Sequence, residues 1–287
     1  MSDMHVGVHI CTFDWEGGPA AIRGTLADVV RDTEAAGFHF VTFMDHFMQA
    51  EGFMPPPDPI IEGYSALAYA AALTERVTLG MLVTGVLFRN PGMLAKTVTT
   101  LDVLSGGRAM LGIGGAWYAR EHAAIGIEFP PPGERLGRLD EAIQVCLQTW
   151  SGDDGPFHGR YYELAETMCS PPPLTRPHPP IMIGGGGEQK TLRVVAQYAD
   201  IWNIASFPAD TLRHKLDVLR AHGDAVGRDT DEIRKTILWM NDPRDDEDGF
   251  RRGVDDYAAL GFDTVFVMPY GSDPRAAVAW LAEVMGK

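Results

Sequence analysis

An adjacent carboxylate and imidazole, Asp45 and His46, follow an apolar stretch that has the composition of a β-strand. A histidine in this position can donate a proton or a hydrogen bond near neutral pH, and a carboxylate beside it can orient or polarise a reacting group. A structural interpretation stays open, in which His46 caps the following loop and Asp45 binds backbone amides. The pair therefore predicts either an acid–base site, with both residues catalytic, or an anchored loop.

Glycines mark the ends of two other strand-like stretches. The sequence of residues 106–118 is typical of a tight turn followed by a short buried strand. The segment that leaves the C-terminal end of this strand, the strand exit, contains Gly114, Gly115, Ala116 and Trp117. Glycine at a strand exit lets a flat ligand or a phosphate lie close to the backbone. This exit therefore favours a large, flat cofactor at one end of a parallel sheet.

The second exit ends on Gly184, Gly185, Gly186 and Gly187, and a helical pattern begins at Glu188. A phosphate at the start of that helix would meet free N–H groups and the positive end of the helix dipole. A plain strand-to-helix turn that needs glycine for close packing is the alternative. Because neither exit has the spacing of a P-loop or of a dinucleotide fingerprint, the glycines predict phosphate binding without identifying the cofactor.

Judged from the residues alone, a metal site is the main alternative to a cofactor site. Hydrolases whose parallel strands form a barrel hold metals at the same strand ends. His5 and His9 share a face of the first strand-like stretch, but about 13 Å of strand separates them, which is too far for one ion. That stretch has no His-x-His spacing. We therefore predict no metal site.

Apolar stretches typical of strands alternate with helical patterns along the chain. The predicted strands are residues 6–10, 38–44, 77–83, 108–113, 180–183, 200–204, 235–240 and 264–268. The predicted helices are residues 20–36, 65–74, 93–104, 134–150, 188–198, 209–226, 246–260 and 274–285. Eight strand–helix units in 287 residues predict an α/β fold, a (β/α)8 TIM barrel that forms a single domain over residues 1–287. A doubly wound sheet, which more often has about five or six strands, is the alternative.

Two stretches interrupt this alternation. Residues 151–179 are rich in proline and glycine and predict a hairpin or lid inserted before strand five. Residues 49–63 include the proline-rich loop 49–59. Because the chemistry of such barrels lies at the C-terminal ends of the strands, we expect both insertions to cover the site.

The composition narrows the classes of partner. A net charge of −15 argues against nucleic acid and against an anionic membrane surface. The three cysteines, Cys11, Cys146 and Cys169, are far apart and lack a C-x-x-C spacing, which favours a reducing compartment. No stretch has the pattern of a signal peptide or the length of a membrane span. We expect a cytoplasmic protein that acts on a small molecule.

A set of motifs extends over nearly the whole chain. It consists of residues 44–47, 79–84, 88–91, 94–96, 101–108, 111–117, 133–135, 184–187 and 199–203. In these motifs the chain resembles the luciferase-like monooxygenase superfamily of flavin and deazaflavin enzymes, most closely its branch that uses coenzyme F420. The resemblance implies a barrel with an insertion before strand five and a deazaflavin ring across the strand ends. Members that use FMN share most of the motifs, so FMN is the alternative cofactor.

The resemblance also implies roles for individual residues. Asp45 and His46 would lie beside the ring, with His46 donating a proton to the substrate. Leu82 and Val83 would form a bulge with a non-proline cis peptide behind the ring. The residues expected to bind the cofactor are Asp45, Leu82, Val83, Thr84, Gly114, Gly115, Ala116, Trp117, Gly184, Gly185, Gly186, Gly187 and Glu188.

Trp117 departs from the sugar-phosphate dehydrogenases of this branch, which the resemblance implies carry a glutamate at its position. Together with Tyr118 it predicts an aromatic pocket wall, which favours an activated alkene, imine or carbonyl as substrate. We therefore expect an F420-dependent oxidoreductase that transfers a hydride between reduced deazaflavin and such a substrate, or from an alcohol in reverse. The alternatives are an FMN-dependent monooxygenase with a partner reductase and a non-catalytic flavin-binding protein. By analogy with the superfamily we expect a homodimer.

Overall fold

Strands and helices alternate along residues 4–51 and 54–287, the part of the chain that the computed structural model describes. The strands are β1 (His5–Ile10), β2 (Phe40–Phe43), β3 (Thr78–Met81), β4 (Thr84–Gly85), β5 (Leu111–Gly114), β6 (Phe157–His158), β7 (Glu163–Leu164), β8 (Ile181–Gly184), β9 (Ile201–Ala205), β10 (Arg234–Leu238) and β11 (Thr264–Val267). The helices are α1 (Pro19–Ala35), α2 (Gly63–Ala71), α3 (Pro91–Ser105), α4 (Ala119–Ala124), α5 (Pro132–Ser151), α6 (Thr191–Tyr198), α7 (Ala209–Val226), α8 (Glu247–Ala259) and α9 (Pro274–Met285).

The main sheet has nine strands in the order β3-β2-β1-β11-β10-β9-β8-β5-β4, all of them paired in parallel. The edge strand β3 is also joined to the residues that lead into β5, because the Leu79 N–H donates to the Arg108 carbonyl and the Leu79 carbonyl accepts from the Met110 N–H. The sheet therefore closes into a barrel.

Two of the nine strands, β3 and β4, are halves of the third barrel strand. The chain leaves β3 at Met81, passes through the cis peptide bond between Leu82 and Val83, and pairs with β5 from Thr84 onward. Counted as one strand, the halves give eight barrel strands. The predicted (β/α)8 barrel is therefore confirmed, and the chain has the cis peptide that the resemblance implied.

Local sequence signals fix the helix that follows this broken strand. The Asn90 side chain accepts the Gly92 N–H at the start of α3, and Pro91 occupies the first helical position. Gly106 ends the helix with a φ of 72°, in the left-handed region that glycine adopts without strain. The chain that connects β4 to α3 is thereby held at a defined position over the strand ends.

Apolar side chains fill the interior of the barrel. Phe40, Met110, Met182, Ile201 and Phe266 are buried and pack together. The rings of Phe40 and Phe266 lie 5.3 Å apart. Burial contributes about 1.5–3 kcal/mol for a large apolar side chain, so this layer stabilises a filled barrel rather than a pore. Room for a ligand is left at the strand ends.

The insertion before the fifth barrel strand contains the hairpin of β6 and β7, as predicted. The Glu141 carboxylate on α5 accepts the N–H groups of Arg160 and Tyr161. The Asp102 carboxylate on α3 accepts the N–H group of Leu174. These contacts hold the insertion against the outer helices of the barrel.

Some element boundaries differ from the prediction. The helix expected over residues 188–198 begins at Thr191, because a turn over residues 188–190 follows the glycines. The short helix α4 was not predicted, since its six residues are too few to establish a helical period. This second difference matters for the site, because α4 supplies part of its wall.

Candidate active site

A cleft of about 770 Å³ opens at the C-terminal ends of the barrel strands. Its lining includes the exits of β2, β4, β5 and β8 and residues of α4 and α5. The predicted site residues that line it are Asp45, His46, Leu82, Val83, Thr84, Gly114, Gly115, Ala116, Trp117, Gly184, Gly185, Gly186 and Gly187. The structure therefore brings together the predicted site residues with the exception of Glu188.

The two insertions differ in their relation to the cleft. Gln49 of the proline-rich loop lines it, whereas residues 52 and 53 of that loop lie outside the described residues. The buried Gln49 amide donates to the carbonyls of Cys11 and Pro59, which ties the loop to the exit of β1. The described lining includes no residue of 151–179. The expectation that this second insertion covers the site is therefore not supported, because it packs on the outer helices instead.

A carboxylate from a distant part of the chain holds His46. The Nδ1 atom of His46 lies 2.7 Å from Oε2 of Glu121 on α4, and the Glu121 side chain is fully buried. The other carboxylate oxygen accepts the N–H groups of Phe47 and Met48 at 2.6 and 3.2 Å. Because a carboxylate only accepts hydrogen bonds, Nδ1 carries a proton and Nε2 remains available to a ligand. His46 can therefore exchange a proton through Nε2.

Asp45 has a different partner. It is buried, and its Oδ2 atom accepts from Arg89 at 2.6 Å, while Arg89 also donates to Glu62 at 2.8 Å. Burial raises the pKa of Asp45, and the hydrogen bond from Arg89 opposes that rise. The guanidinium lies 4.5 Å from the centroid of the Tyr64 ring, whose hydroxyl is 2.8 Å from Thr84 Oγ1. The Asp45 carboxylate is thus fixed in the cleft wall by its hydrogen bond with Arg89, and the guanidinium balances its charge.

Bare backbone forms part of the cleft surface between two strand exits. The Val83 side chain lies between them, since a Cβ atom built on Gly114 or on Gly184 would lie 2.9 Å from its Cγ2 atom. Real Cβ atoms essentially never come so close to another atom, so both positions need glycine while Val83 lies there. The glycines therefore let the Val83 side chain pack directly against the backbone of both exits.

The chain after Gly184 turns tightly before α6. Gly185 has a φ of 122°, and its N–H group donates to the Asn203 carbonyl. The N–H groups of Gly186 and Gly187 have no hydrogen-bond acceptor among the described residues. They lie close to the N-terminus of α6, where the helix dipole is positive. These donors suit an anionic group of a ligand.

Basic side chains lie near both glycine exits although the chain is acidic. Arg135 on α5 lines the cleft and donates to the Gly115 carbonyl at 3.0 Å. Lys215 on α7 binds the Glu188 carboxylate, and His222 donates to the Glu188 carbonyl at 2.7 Å. Glu188 therefore faces α7 and is not among the residues that line the cleft.

Aromatic rings border the cleft beside His46. Trp117 is 54% exposed, and its ring stacks on that of Tyr118 with 5.2 Å between centroids. The His46 ring meets these two rings edge-on at 5.7 and 6.2 Å, and it meets Phe88 at 6.4 Å. The imidazole thus adjoins a surface on which an apolar or aromatic substrate can pack.

His9 and Cys11 line the cleft at the exit of β1. The Nδ1 atom of His9 lies 3.1 Å from Thr42 Oγ1. Burial, reinforced by the charge of His46, lowers the pKa of His9 to about 3. Burial likewise raises the pKa of Cys11 to about 12. Both side chains are therefore neutral near pH 7, and this part of the cleft carries no charge of its own.

Two residues outside the predicted set also shape the site. Glu121 and Arg89 are the partners of His46 and Asp45, and neither was among the predicted site residues. Glu121 follows Trp117 by four positions, so one turn of chain after the strand exit brings its carboxylate back to His46. That spacing was the only sequence signal for Glu121, and it can be interpreted only once α4 is known to be helical.

Among residues 4–51 and 54–287, no three histidine, cysteine, aspartate or glutamate side chains lie close enough together to hold a metal ion. Nor does any helix in these ranges combine the length and the apolarity that crossing a membrane requires.

Known proteins similar to this chain include both deazaflavin and flavin enzymes. The sequence profile of the family described as luciferase-like monooxygenase matches residues 4–260. An F420-dependent glucose-6-phosphate dehydrogenase from Kineococcus radiotolerans is 33% identical over 224 residues, which are 75% of this chain and 62% of that protein. An FMNH2-dependent dimethylsulfone monooxygenase from Pseudomonas putida is 29% identical over 163 residues, which are 52% of this chain and 44% of that protein. The chain thus spans less than two thirds of the length of either relative.

A solved structure also resembles this chain over its full length. It is an F420-dependent secondary alcohol dehydrogenase in complex with an F420–acetone adduct. The TM-score is 0.82 at 16% sequence identity, and the match covers 98% of each chain. At this level of identity the likeness shows a shared barrel fold.

Proposed function

This chain belongs to the luciferase-like monooxygenase family, and we propose that it is an F420-dependent oxidoreductase. In the proposed reaction a hydride passes between reduced deazaflavin and a small apolar substrate with an activated alkene, imine or carbonyl group, or from an alcohol in reverse. The observation that carries the proposal is that one cleft combines a carboxylate-held imidazole, His46, with two glycine-lined strand exits. The deazaflavin dehydrogenase among the relatives supports the choice of cofactor.

The residues of the cleft fit a flat cofactor with a phosphorylated tail. Val83, packed against Gly114 and Gly184, would support the ring from the strand side. The N–H groups of Gly186 and Gly187 would hold a phosphate at the start of α6. When bound, the reduced deazaflavin supplies the hydride. The further residues that we assign to cofactor binding are Asp45, Leu82, Thr84, Gly115, Ala116, Trp117 and Gly185.

Within this proposal His46 transfers the proton that accompanies the hydride. Its Nε2 atom would donate to the substrate atom next to the one that is reduced. The Glu121 carboxylate stabilises the protonated ring before the transfer and keeps its orientation. Asp45, held by Arg89, would polarise the cofactor or substrate from the adjacent wall.

The walls of the cleft favour an apolar substrate over a sugar phosphate. Trp117 and Tyr118 offer stacked rings, and the neutral His9 and Cys11 offer no charge to a phosphate. The relative from Kineococcus radiotolerans is named for glucose 6-phosphate. We propose a different substrate class for this chain because of the aromatic wall.

An FMN-dependent monooxygenase is the second candidate function. The relative from Pseudomonas putida, named as FMNH2-dependent, is the observation that favours it. The glycine exits and their free N–H groups would serve FMN as well, since both cofactors carry a flat ring and a phosphate. In that case a partner reductase would have to supply the reduced flavin.

A paired titration separates the two functions. Purified apoprotein is titrated with F420 and with FMN while the quenching of tryptophan fluorescence is followed. We expect tight binding of F420 and weak binding of FMN, after which alkenes and imines are screened for F420 turnover. Preference for FMN would favour the FMN-dependent monooxygenase instead. Binding of neither cofactor would contradict the cofactor assignment.

We also propose that the protein is a homodimer and that it is cytoplasmic. Met93 and Leu104 on α3 and Met168 and Leu174 of the insertion are apolar residues that are more than half exposed. A second copy of this chain would remove them from water. Sedimentation should therefore give twice the mass of one chain, and Leu104→Glu should lower the dimer affinity. A monomer at all concentrations would contradict the proposal.

A further inference from the structure

Two buried polar atoms in the cleft wall have no hydrogen-bond partner among the described residues: the Tyr118 hydroxyl and His122 Nε2. The two residues are 6% and 1% exposed, and both line the cleft. Buried polar atoms in proteins are nearly always hydrogen-bonded, so each exception calls for an explanation. Other buried atoms of this kind, such as those of Trp15 and Trp239, belong to residues that are not in the described cleft lining.

The tautomer of the neutral His122 ring follows from its other ring nitrogen. Nδ1 lies 2.9 Å from the Tyr118 carbonyl oxygen, one turn back on α4. Because a carbonyl only accepts hydrogen bonds, Nδ1 carries the proton, and Nε2 of the neutral ring presents a lone pair. The ring is held between Phe88, stacked at 4.6 Å, and Phe129 at 4.8 Å. His122 is therefore a rigid acceptor that lacks a donor.

Tyr118 and His122 are neighbours in the cleft wall. Tyr118 is the N-cap residue of α4, and the Nδ1 contact with its carbonyl joins His122 to it one turn later. Both belong to the cleft lining. A hydroxyl group matches the pair, because it can donate to Nε2 and accept from the tyrosine hydroxyl at once. A carbonyl could not donate to Nε2. An ammonium would need a counter-charge, and the nearby Glu121 carboxylate already accepts three hydrogen bonds.

We propose that Tyr118 and His122 form a subsite for a hydroxyl group, so that the substrate is a flat apolar molecule that carries an alcohol or phenol hydroxyl. The inference rests on the proposed function, because it names a feature of the substrate of that same cleft. The Tyr118 and His46 ring centroids are 6.2 Å apart. The subsite therefore adjoins the residue proposed to donate the proton.

The test uses phenol and toluene, two probes of similar size of which only phenol has a hydroxyl group. Their binding to the full-length apoprotein is measured by ligand-observed NMR titration, in the wild type and in two variants. Tyr118→Phe removes one hydroxyl, and His122→Asn keeps a donor near the Tyr118 carbonyl but has no atom at the position of Nε2. Each variant should lower the affinity ratio of phenol to toluene by about tenfold, the effect of one lost hydrogen bond, and leave toluene binding unchanged. An unchanged ratio in both variants would overturn the proposal.

Stability supplies a second readout. The Tyr118 hydroxyl has no partner to lose, so Tyr118→Phe should unfold at a temperature no lower than that of the wild type. Tyr257 on α8 is the matched control, because its hydroxyl donates to the Phe207 carbonyl and the residue is not in the described cleft lining. Tyr257→Phe should lower the unfolding temperature and leave the phenol preference intact. A large loss of stability in Tyr118→Phe would show that the hydroxyl has a structural partner, and it would overturn the subsite.

The cofactor titration keeps the two proposals distinguishable. F420 binding without any effect of Tyr118→Phe or His122→Asn on the phenol preference would contradict the hydroxyl subsite alone. Loss of that preference in both variants of a protein that does not bind F420 would support the subsite and contradict the proposed oxidoreductase function.

Discussion

His46 Nδ1 lies 2.7 Å from Glu121 Oε2, although 75 positions separate the two residues in the sequence. The contact joins the exit of β2 to the first turn of α4. Since the same carboxylate accepts the N–H groups of Phe47 and Met48, it holds the imidazole and the backbone that follows it. The ring is thereby oriented before any ligand binds, which is what efficient proton transfer requires.

Replacing Glu121 with Gln should lower turnover with F420 by about tenfold or more. An amide N–H beside Nδ1 would reverse the tautomer of His46 and would not stabilise the protonated ring. The amide oxygen can still accept the Phe47 N–H, so F420 affinity should stay within a few fold. Steady-state kcat and KM are the measurement, and we expect a lower kcat at similar KM. Wild-type kcat in the variant would reduce the contact to a structural one.

His46→Ala should leave F420 affinity within a few fold of the wild type and depress turnover by about 10²-fold or more, the usual effect of losing a general acid. The measurement is a fluorescence titration for affinity and steady-state kinetics for turnover. His158→Ala is the control, because that side chain is 68% exposed and belongs to the hairpin outside the cleft. Unchanged turnover in His46→Ala would assign the residue a purely structural role.

The barrel could be predicted because its strands are buried on both faces and therefore appear as continuous apolar stretches. The position of Asp45 and His46 at a strand exit followed from that prediction alone. Their partners did not follow. The contact of His46 with Glu121 depends on α4, whose six residues contain too little periodicity to be recognised. The contact of Asp45 with Arg89 depends on how β4 and its exit fold back over the strand ends.

The expected positions of Glu188 and of residues 151–179 depended on tertiary contacts that cannot be recognised in the sequence. Glu188 follows the glycines directly, yet Lys215 on α7 draws its carboxylate to the outer layer of the barrel. Residues 151–179 have the composition of a lid, yet Glu141 and Asp102 hold them against α5 and α3. Residues 151–179 were interpreted correctly as an insertion, whereas Glu188 was expected to begin a helix that in fact starts at Thr191. In both cases the partner that places the segment was unknown.

Gly184→Ala should weaken F420 binding by about tenfold or more. The new Cβ atom would lie 2.9 Å from Val83 Cγ2, so Val83 would have to move into the surface proposed for the ring. Gly24→Ala on α1 is the matched control, because its Cβ atom would meet nothing within 4 Å. It should leave binding unchanged and slightly stabilise the helix. Fluorescence titration of both variants is the measurement, and wild-type affinity in Gly184→Ala would argue against a ring at this exit.

The apoprotein should lose stability as the pH falls below about 6.5, because of His9. In the unfolded chain this histidine takes up a proton near its ordinary pKa of 6.5, whereas burial, and then the charge of His46, lowers its pKa to about 3 in the folded protein. Between these two values the unfolded state binds more protons, so protonation favours unfolding. The stability is fully present above pH 6.5 and is lost progressively toward pH 3. His39 contributes with the same sign, since burial and the charge of His5 lower its pKa as well.

His9→Asn isolates the contribution of His9, because the amide can replace the Nδ1 contact with Thr42 but does not titrate. Urea unfolding of wild type and variant is compared from about pH 7 to about pH 4.5. One differential proton corresponds to about 1.4 kcal/mol per pH unit, so the pH slope of the free energy of unfolding should be smaller in the variant by up to this amount. His158→Asn, at the exposed hairpin, should keep the wild-type slope. Parallel slopes in the wild type and in His9→Asn would mean that His9 is protonated in the folded protein, and the uncharged character of this end of the cleft would then be wrong.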